Sequence, residues 1–228
     1  MVRAAFFDLD KTILDTSSNV ALSGPFIEAG LMTRRTAIAS VLVQLPYLLA
    51  GADESRMEQM AEAMGRMGRG WNAAFLEATV EDALERTIAP VCYAQALRRI
   101  AYHKSIGDVV VIASASVEEV VRPIATMLGA DEVLASKAAV DDDGCFTGEV
   151  IHFNQAQGKA DACAQLARTR GWDLSQCSAY SDSVSDAPLL RLVGHPYAVN
   201  PDRALREMAE REGWPTLTFS STVRVLPR

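Results

Sequence analysis

Apolar positions along the chain fall into short unbroken runs separated by longer stretches with helical spacing. Ala4–Phe7 is a continuous apolar run ending at Asp8, the pattern of a strand buried on both faces. Residues 108–113 (Asp-Val-Val-Val-Ile-Ala) repeat the pattern and end at Ser114. Residues 177–180 form a weaker strand ending at Ser181-Asp182, and 197–200 and 216–219 read as two further short strands. Between the runs, the spacing predicts helices over 91–104, 117–128, 159–170 and 202–212. Gly129, Gly171 and Gly213 stand where the last three should stop. Strands alternating with helices predict a doubly wound, Rossmann-like parallel sheet, an α/β core.

Two regions break the alternation. Residues 15–87 hold no convincing strand and are rich in Ala, Leu, Met and Glu, which reads as a helical block inserted after the first strand. Residues 136–150 carry Asp142-Asp143-Gly144 between two short runs, a hairpin signal. The expected organisation is an α/β core from 1–14 and 88–228, with a helical cap from 15–87. Within the cap, Trp71, Phe75 and the methionines of 57–67 recur at helical spacing and read as cap core, some of them as a roof over a site. The most apolar window, 37–52, is interrupted by Ser40, Gln44 and Pro46 and reads as a buried helix, not a membrane span.

Composition narrows the function classes. The chain has 228 residues, 49% hydrophobic, with 22 basic against 29 acidic side chains and a net charge of −7. No compact run of Lys and Arg is present, which disfavours nucleic acid and anionic membranes as partners. Cys92, Cys145, Cys163 and Cys177 form no C-x-x-C pair and no zinc spacing. With no secretory signal in the sequence, this predicts a reducing, cytoplasmic setting. His103, His152 and His195 lack partners at metal spacing and read as structural or surface residues, His195 in a turn beside Pro196. The run Asp141-Asp142-Asp143 reads as a solvated hairpin tip, since it lacks a calcium-loop pattern.

Four polar clusters sit where predicted strands end or helices begin. They are Asp8-Leu9-Asp10-Lys11-Thr12, Ser114-Ala115-Ser116, Gly158-Lys159 and Asp182-Ser183-Val184-Ser185-Asp186. Singly, each has a plain reading as a turn, a helix cap or a helix start. Jointly they converge on the carboxyl edge of one parallel sheet, where such folds bind ligands. Asp8, Asp10 and Asp182 make a hard oxygen site suited to magnesium. The metal, Lys159, a serine hydroxyl and backbone N–H groups would surround a phosphate with positive charge and donors. Phosphoryl transfer needs that arrangement, and an Asp can serve as its nucleophile.

In this order the clusters resemble the motifs of the haloacid dehalogenase-like superfamily of phosphohydrolases. Within it the chain resembles the branch containing the phosphoserine phosphatases (the IB type), with a C1-type helical cap after the first motif. The resemblance is carried by Phe6-Phe7-Asp8-Leu9-Asp10-Lys11-Thr12, Ser114-Ala115-Ser116-Val117-Glu118-Glu119, Tyr180-Ser181-Asp182-Ser183-Val184-Ser185-Asp186 and Val193-Gly194-His195-Pro196-Tyr197-Ala198-Val199-Asn200-Pro201-Asp202. It implies Asp8 as nucleophile and Asp10 as general acid and base. Ser114 and Ala115 would bind the phosphoryl oxygens, and Lys159 would neutralise Asp8 and the phosphate. Magnesium would sit on the Asp8 side chain, the Asp10 backbone carbonyl and Asp182, with Asp186 and Ser183 behind them.

The implied substrate is a small phosphomonoester of the phosphoserine or histidinol phosphate kind, handled by a monomer or homodimer. Phosphoserine phosphatases usually place a Glu for the substrate ammonium shortly after the first motif. This chain has Asp15-Thr16-Ser17-Ser18-Asn19 there, so Arg66 and Arg69 are its candidate substrate contacts. A phosphotransferase or mutase would share Asp8 and Asp10 and remains the alternative enzyme. A true dehalogenase would need neither Asp10 nor Asp182. A receiver-type phospho-aspartate module fits poorly, being about half this length with no helical insertion.

Overall fold

A computed structural model describes residues 3–35 and 54–223, and the side chains from 59 onward in the second stretch. The window 37–52 lies outside the described residues. Seven strands form one sheet in the order β4-β3-β2-β1-β5-β6-β7. They are β1 (Ala4–Phe7), β2 (Val109–Val117), β3 (Glu132–Val140), β4 (Phe146–His152), β5 (Ser178–Ser181), β6 (His195–Val199) and β7 (Thr216–Leu217). All neighbours run parallel except β4, which returns antiparallel on β3 as the expected hairpin. The α-helices among the described residues are α1 (Ser18–Ala21), α2 (Ser23–Glu28), α3 (Glu54–Gly68), α4 (Ala73–Ala83), α5 (Ala94–Ser105), α6 (Glu118–Met127), α7 (Gln157–Arg170), α8 (Ala187–Leu192) and α9 (Arg203–Glu212). No described helix is long and apolar enough to cross a membrane.

β1 takes the centre because it has an apolar side chain for each face. Ala5 and Phe7 enter one buried cluster, and Ala4 and Phe6 the other. The Phe7 ring stacks on Tyr180 at 4.4 Å between centroids, and Tyr180 on Tyr197 at 4.7 Å, which ties three adjacent strands together. His103 is buried in the same layer, Nδ1 2.8 Å from Asp108 Oδ2 and Nε2 2.8 Å from the Tyr180 hydroxyl, so it is structural as expected. From β1 the chain winds to β2 and β3 on one side and to β5, β6 and β7 on the other. The winding therefore reverses between β1 and β5, and the crevice outside their carboxyl ends is where such sheets hold ligands.

Several boundaries differ from the pattern. β2 runs on to Val117, because β3 keeps pairing with it past a bulge, Val117 opposite Ser136. Ser114 therefore lies on the strand and caps no helix. The helix expected over 91–104 begins at Ala94; Leu84–Ile88 is a π-helix, Ala89–Val91 a 3-10 turn, and Cys92 bridges to Leu14. His195 opens β6 opposite Ser178 and is not in a turn. Phe75, expected in the core, is 50% exposed on the first turn of α4, whose start is set by Asn72 accepting from the Phe75 amide.

α3 and the turn that follows it lie against the hairpin. A Cβ on Gly65 of α3 would stand 2.1 Å from the carbonyl oxygen of Gly148 on β4, so the helix rests directly on strand backbone. Phe146 of β4 uses both its backbone groups on the same stretch, donating to the Trp71 carbonyl at 2.9 Å and accepting from the Gly70 amide at 2.8 Å.

Candidate active site

Asp8 follows β1 directly, and its amide still donates to the Tyr180 carbonyl at 2.9 Å, so its position is fixed by the sheet. Lys11 adopts the left-handed region (φ 59°), and the backbone there turns the chain back over the strand end. Lys159 rises from the first turn of α7 and is 2% exposed. Its ammonium donates to Asp8 Oδ1 at 2.7 Å and to Asp186 Oδ2 at 2.8 Å. Ser181 adds a 2.7 Å bond to the same Asp186 oxygen. Asp186 Oδ1 is buried and has no hydrogen-bond partner among the described residues.

Asp10 is held from the other side. Its Oδ1 accepts from the Ser18 amide at 2.7 Å, one of the free N–H groups at the start of α1, which Ser17 caps. Ser18 Oγ meets Ser116 Oγ at 3.2 Å, and the Ser116 amide donates to Ser114 Oγ at 3.2 Å. The end of β2 thus joins the Asp10 loop through three serines. Asn154 pins this strand end by donating to the carbonyls of Ser114 (3.0 Å) and Leu134 (2.9 Å), while Ser136 Oγ donates to the Ala115 carbonyl at 2.7 Å. Asp182 follows β5; its carbonyl accepts from the Asp202 amide at 2.7 Å, and Thr12 Oγ1 lies 3.5 Å from its Oδ1.

Charge is out of balance here. Burial raises the Asp8 carboxyl to about 7, Lys159 opposing and Asp186 adding to the shift. Burial, then the negative charges of Asp8 and Asp186, raise Asp182 to about 8. Burial also raises Asp10, against the Ser18 amide that favours its ionised form. The two flanking carboxylates hold Lys159 firmly charged despite its burial. Four acids, Asp8, Asp10, Asp182 and Asp186, thus stand around a single buried ammonium, and a divalent cation would restore the balance.

The donor set would suit a hard divalent cation such as magnesium. Among the described residues no three carboxylate, imidazole or thiolate side chains gather tightly enough to hold a metal alone. Magnesium takes one or two carboxylates and keeps several waters, so Asp8, Asp182 and a backbone carbonyl suffice. The partnerless oxygen of Asp186 suits a bound water.

Of the residues expected from sequence, Asp8, Asp10, Ser114, Ala115, Lys159, Asp182 and Asp186 gather at these strand ends. Ser183 instead caps the short turn Val184–Asp186 through a 3.3 Å bond from the Ser185 amide. Arg66 and Arg69 do not join them. Arg66 is exposed and paired with Glu62 at 3.2 Å, and Arg69 lies across Gly148 on the outer surface. Sequence reasoning quoted Ser18 and Ser116 within its motif stretches but gave them no role, and it passed over Asn154. The helix start at Ser17-Ser18-Asn19 signals the first of these, but nothing local marks Asn154.

The family profile for haloacid dehalogenase-like hydrolases matches residues 5–191. The inhibition of morphological differentiation protein of Streptomyces azureus is 46% identical over 99% of this chain and 81% of its own length. A probable phosphatase of Mycobacterium tuberculosis is 45% identical over 99% of this chain and 78% of its own. A phosphoserine phosphatase from the same organism is 32% identical over 96% and 71%. A solved structure of a Bordetella pertussis protein of unknown function superposes with a TM-score of 0.82 at 28% identity, covering 95% of this chain and 98% of that one. The apo structure of a phosphoserine phosphatase shares the fold (TM-score 0.66, 18% identity, 97% and 95% covered). With the sheet order and the acids at its switch point, these matches establish that the chain belongs to the haloacid dehalogenase-like hydrolase family, among its phosphatases.

Proposed function

We propose that this phosphatase hydrolyses a small phosphomonoester through a phospho-Asp8 intermediate, with magnesium as cofactor. The observation that carries the reading is the buried Lys159 ammonium, 2.7 Å from Asp8 and 2.8 Å from Asp186 at the crevice between β1 and β5. Lys159 occupies only Oδ1 of Asp8, which leaves Oδ2 to attack phosphorus. As the new oxygen–phosphorus bond forms, the ester oxygen–phosphorus bond breaks and Asp10 gives its proton to the departing alkoxide. A water then attacks the phosphoryl group and loses its proton to Asp10, and the bond to Asp8 breaks, freeing orthophosphate. The raised Asp10 carboxyl supports that double role, since burial keeps its proton available. Ser114, the Ala115 peptide and Lys159 would receive the phosphoryl oxygens.

Asp8, the Asp10 carbonyl and Asp182 would hold the magnesium, which supplies positive charge to the phosphoryl oxygens. The helices between β1 and α5 would act as the cap that excludes water. The identity of the leaving alcohol is the finer question, with phosphoserine and histidinol phosphate the substrates the family resemblance suggests. The experiment is orthophosphate release from a panel of small phosphomonoesters, each with magnesium and with chelator. Release confined to the magnesium arm is expected. Equal release with chelator would remove the metal, and release only when a second alcohol is present would make the chain a phosphotransferase.

Proton linkage gives an independent check. The buried Asp8 and Asp182 carboxyls lie at about 7 and about 8, above their unfolded range. Their protonated forms therefore favour the metal-free fold, an advantage present below about pH 4 and lost as pH rises through 7 and 8. Magnesium needs both as carboxylates and competes with those protons. The melting temperature gained on adding magnesium should thus grow from pH 6 to pH 8.5, as thermal melts with and without the ion would read. A shift that shrinks over that range would contradict the ligand set.

A further inference from the structure

A cavity of about 70 Å³ lies between α3, Trp71, α6 and the end of β2, and its wall is almost wholly apolar. Met64 and Met67 of α3, Trp71, Val120 of α6 and Phe146 of β4 form much of it, and Ser116 and Asn19 supply the polar lining. Ser116 links the cavity to the chemistry, because its hydroxyl meets that of Ser18, whose amide holds Asp10 at 2.7 Å. The leaving oxygen, which must sit beside Asp10, therefore has this cavity next to it. No lining residue among those described carries a charge; Arg66 is paired with Glu62, and the Arg69 guanidinium lies against Gly148 at the cavity's edge.

We infer that the cavity seats the leaving group, and that the substrate is the phosphomonoester of a small aliphatic alcohol rather than of an amino acid. The inference rests on the phosphatase reading and narrows it. The ammonium of a phosphoserine would enter this space with no carboxylate among the described lining residues to meet it, which burial penalises heavily. An apolar body gains with every buried methylene instead. The volume is roughly the share of two waters in liquid, so a body of two or three carbons fits at once. Longer groups need the methionines to yield, which their unbranched side chains allow.

The test is kcat/KM with magnesium for methyl, ethyl, propyl and hexyl phosphate, against phosphoserine and phosphoethanolamine, with acetyl phosphate as a generic donor. From methyl to propyl the value should climb about fourfold per methylene and then flatten. Propyl phosphate should exceed phosphoserine by about tenfold or more. Met67→Glu should turn the order round, raising phosphoethanolamine relative to propyl phosphate. Turnover of acetyl phosphate with no dependence on chain length, or a preference for phosphoserine, would overturn the inference alone and make the cavity mere packing space. No release from any compound, acetyl phosphate included, would overturn the phosphatase reading and this inference with it. The wild-type series decides the matter by itself if Met67→Glu does not fold.

Discussion

Asp8→Asn is expected to lower phosphate release by about 10³-fold or more while the protein still melts as a folded unit. The amide has the size of the carboxylate and can still accept from Lys159, but it cannot attack phosphorus. Lys159 keeps its 2.8 Å bond to Asp186, so no buried ammonium is left alone. The substitution also removes a carboxylate that burial and Asp186 make costly to ionise. The variant should therefore melt at the same temperature as the native chain or higher, most clearly at pH 8, where native Asp8 is charged. Measurable turnover in a preparation free of native protein would take the nucleophile away from Asp8. A collapse of the melting transition would mean that Asp8 is needed for the fold.

Lys159→Met should damage both stability and rate. Removing one partner of a buried ion pair strands the other, at about 3–5 kcal/mol. Here two acids are stranded, and they can escape part of the penalty by taking up protons. The loss should therefore be smaller at pH 5.5 than at pH 8, on the order of ten degrees of melting temperature at the higher pH. Adding Asp186→Asn to Lys159→Met should restore part of the stability, since neighbours in one network do not add. The rate should fall by about 10²–10³, the usual effect of losing one preorganised charge donor. A Lys159→Met protein with native kinetics would remove the residue from the site, and a pH-independent loss of stability would mean that the acids are not its partners.

The framework was legible because strands and helix ends are written locally. Four apolar residues before Asp8, the runs before Ser114 and Asp182, and Gly171 and Gly213 in left-handed caps all carry their own signal. Those strand ends also announced the acids, because a parallel sheet gathers whatever follows its strands; Lys159 was marked instead by the helix start at Gly158-Lys159. What stayed hidden depends on partners far along the chain. β2 outruns its apolar core because β3 keeps pairing with it, and Asn154, forty residues away, holds the Ser114 carbonyl; no periodicity contains either fact. Asp10 reads as an acid, but its amide partner Ser18 is visible only once α1 is in place. Arg66 and Arg69 looked like substrate contacts because charge in a glycine-rich stretch is conspicuous. Gly65 proves to serve close packing on β4, while Arg66 is exposed and Arg69 lies against Gly148 of that strand.

That seam has a consequence for how the protein behaves at high concentration. β4 ends the sheet, and an end strand with free N–H and C=O groups invites pairing with another molecule. At Phe146 those groups are taken by Gly70 and Trp71, and at Gly148 the helix stands too close for any visiting strand. α3 and the turn after it thus cover this edge of the sheet against self-association. A shortened chain lacking them would expose an adhesive border, and it would be a poor guide to the solubility of the whole.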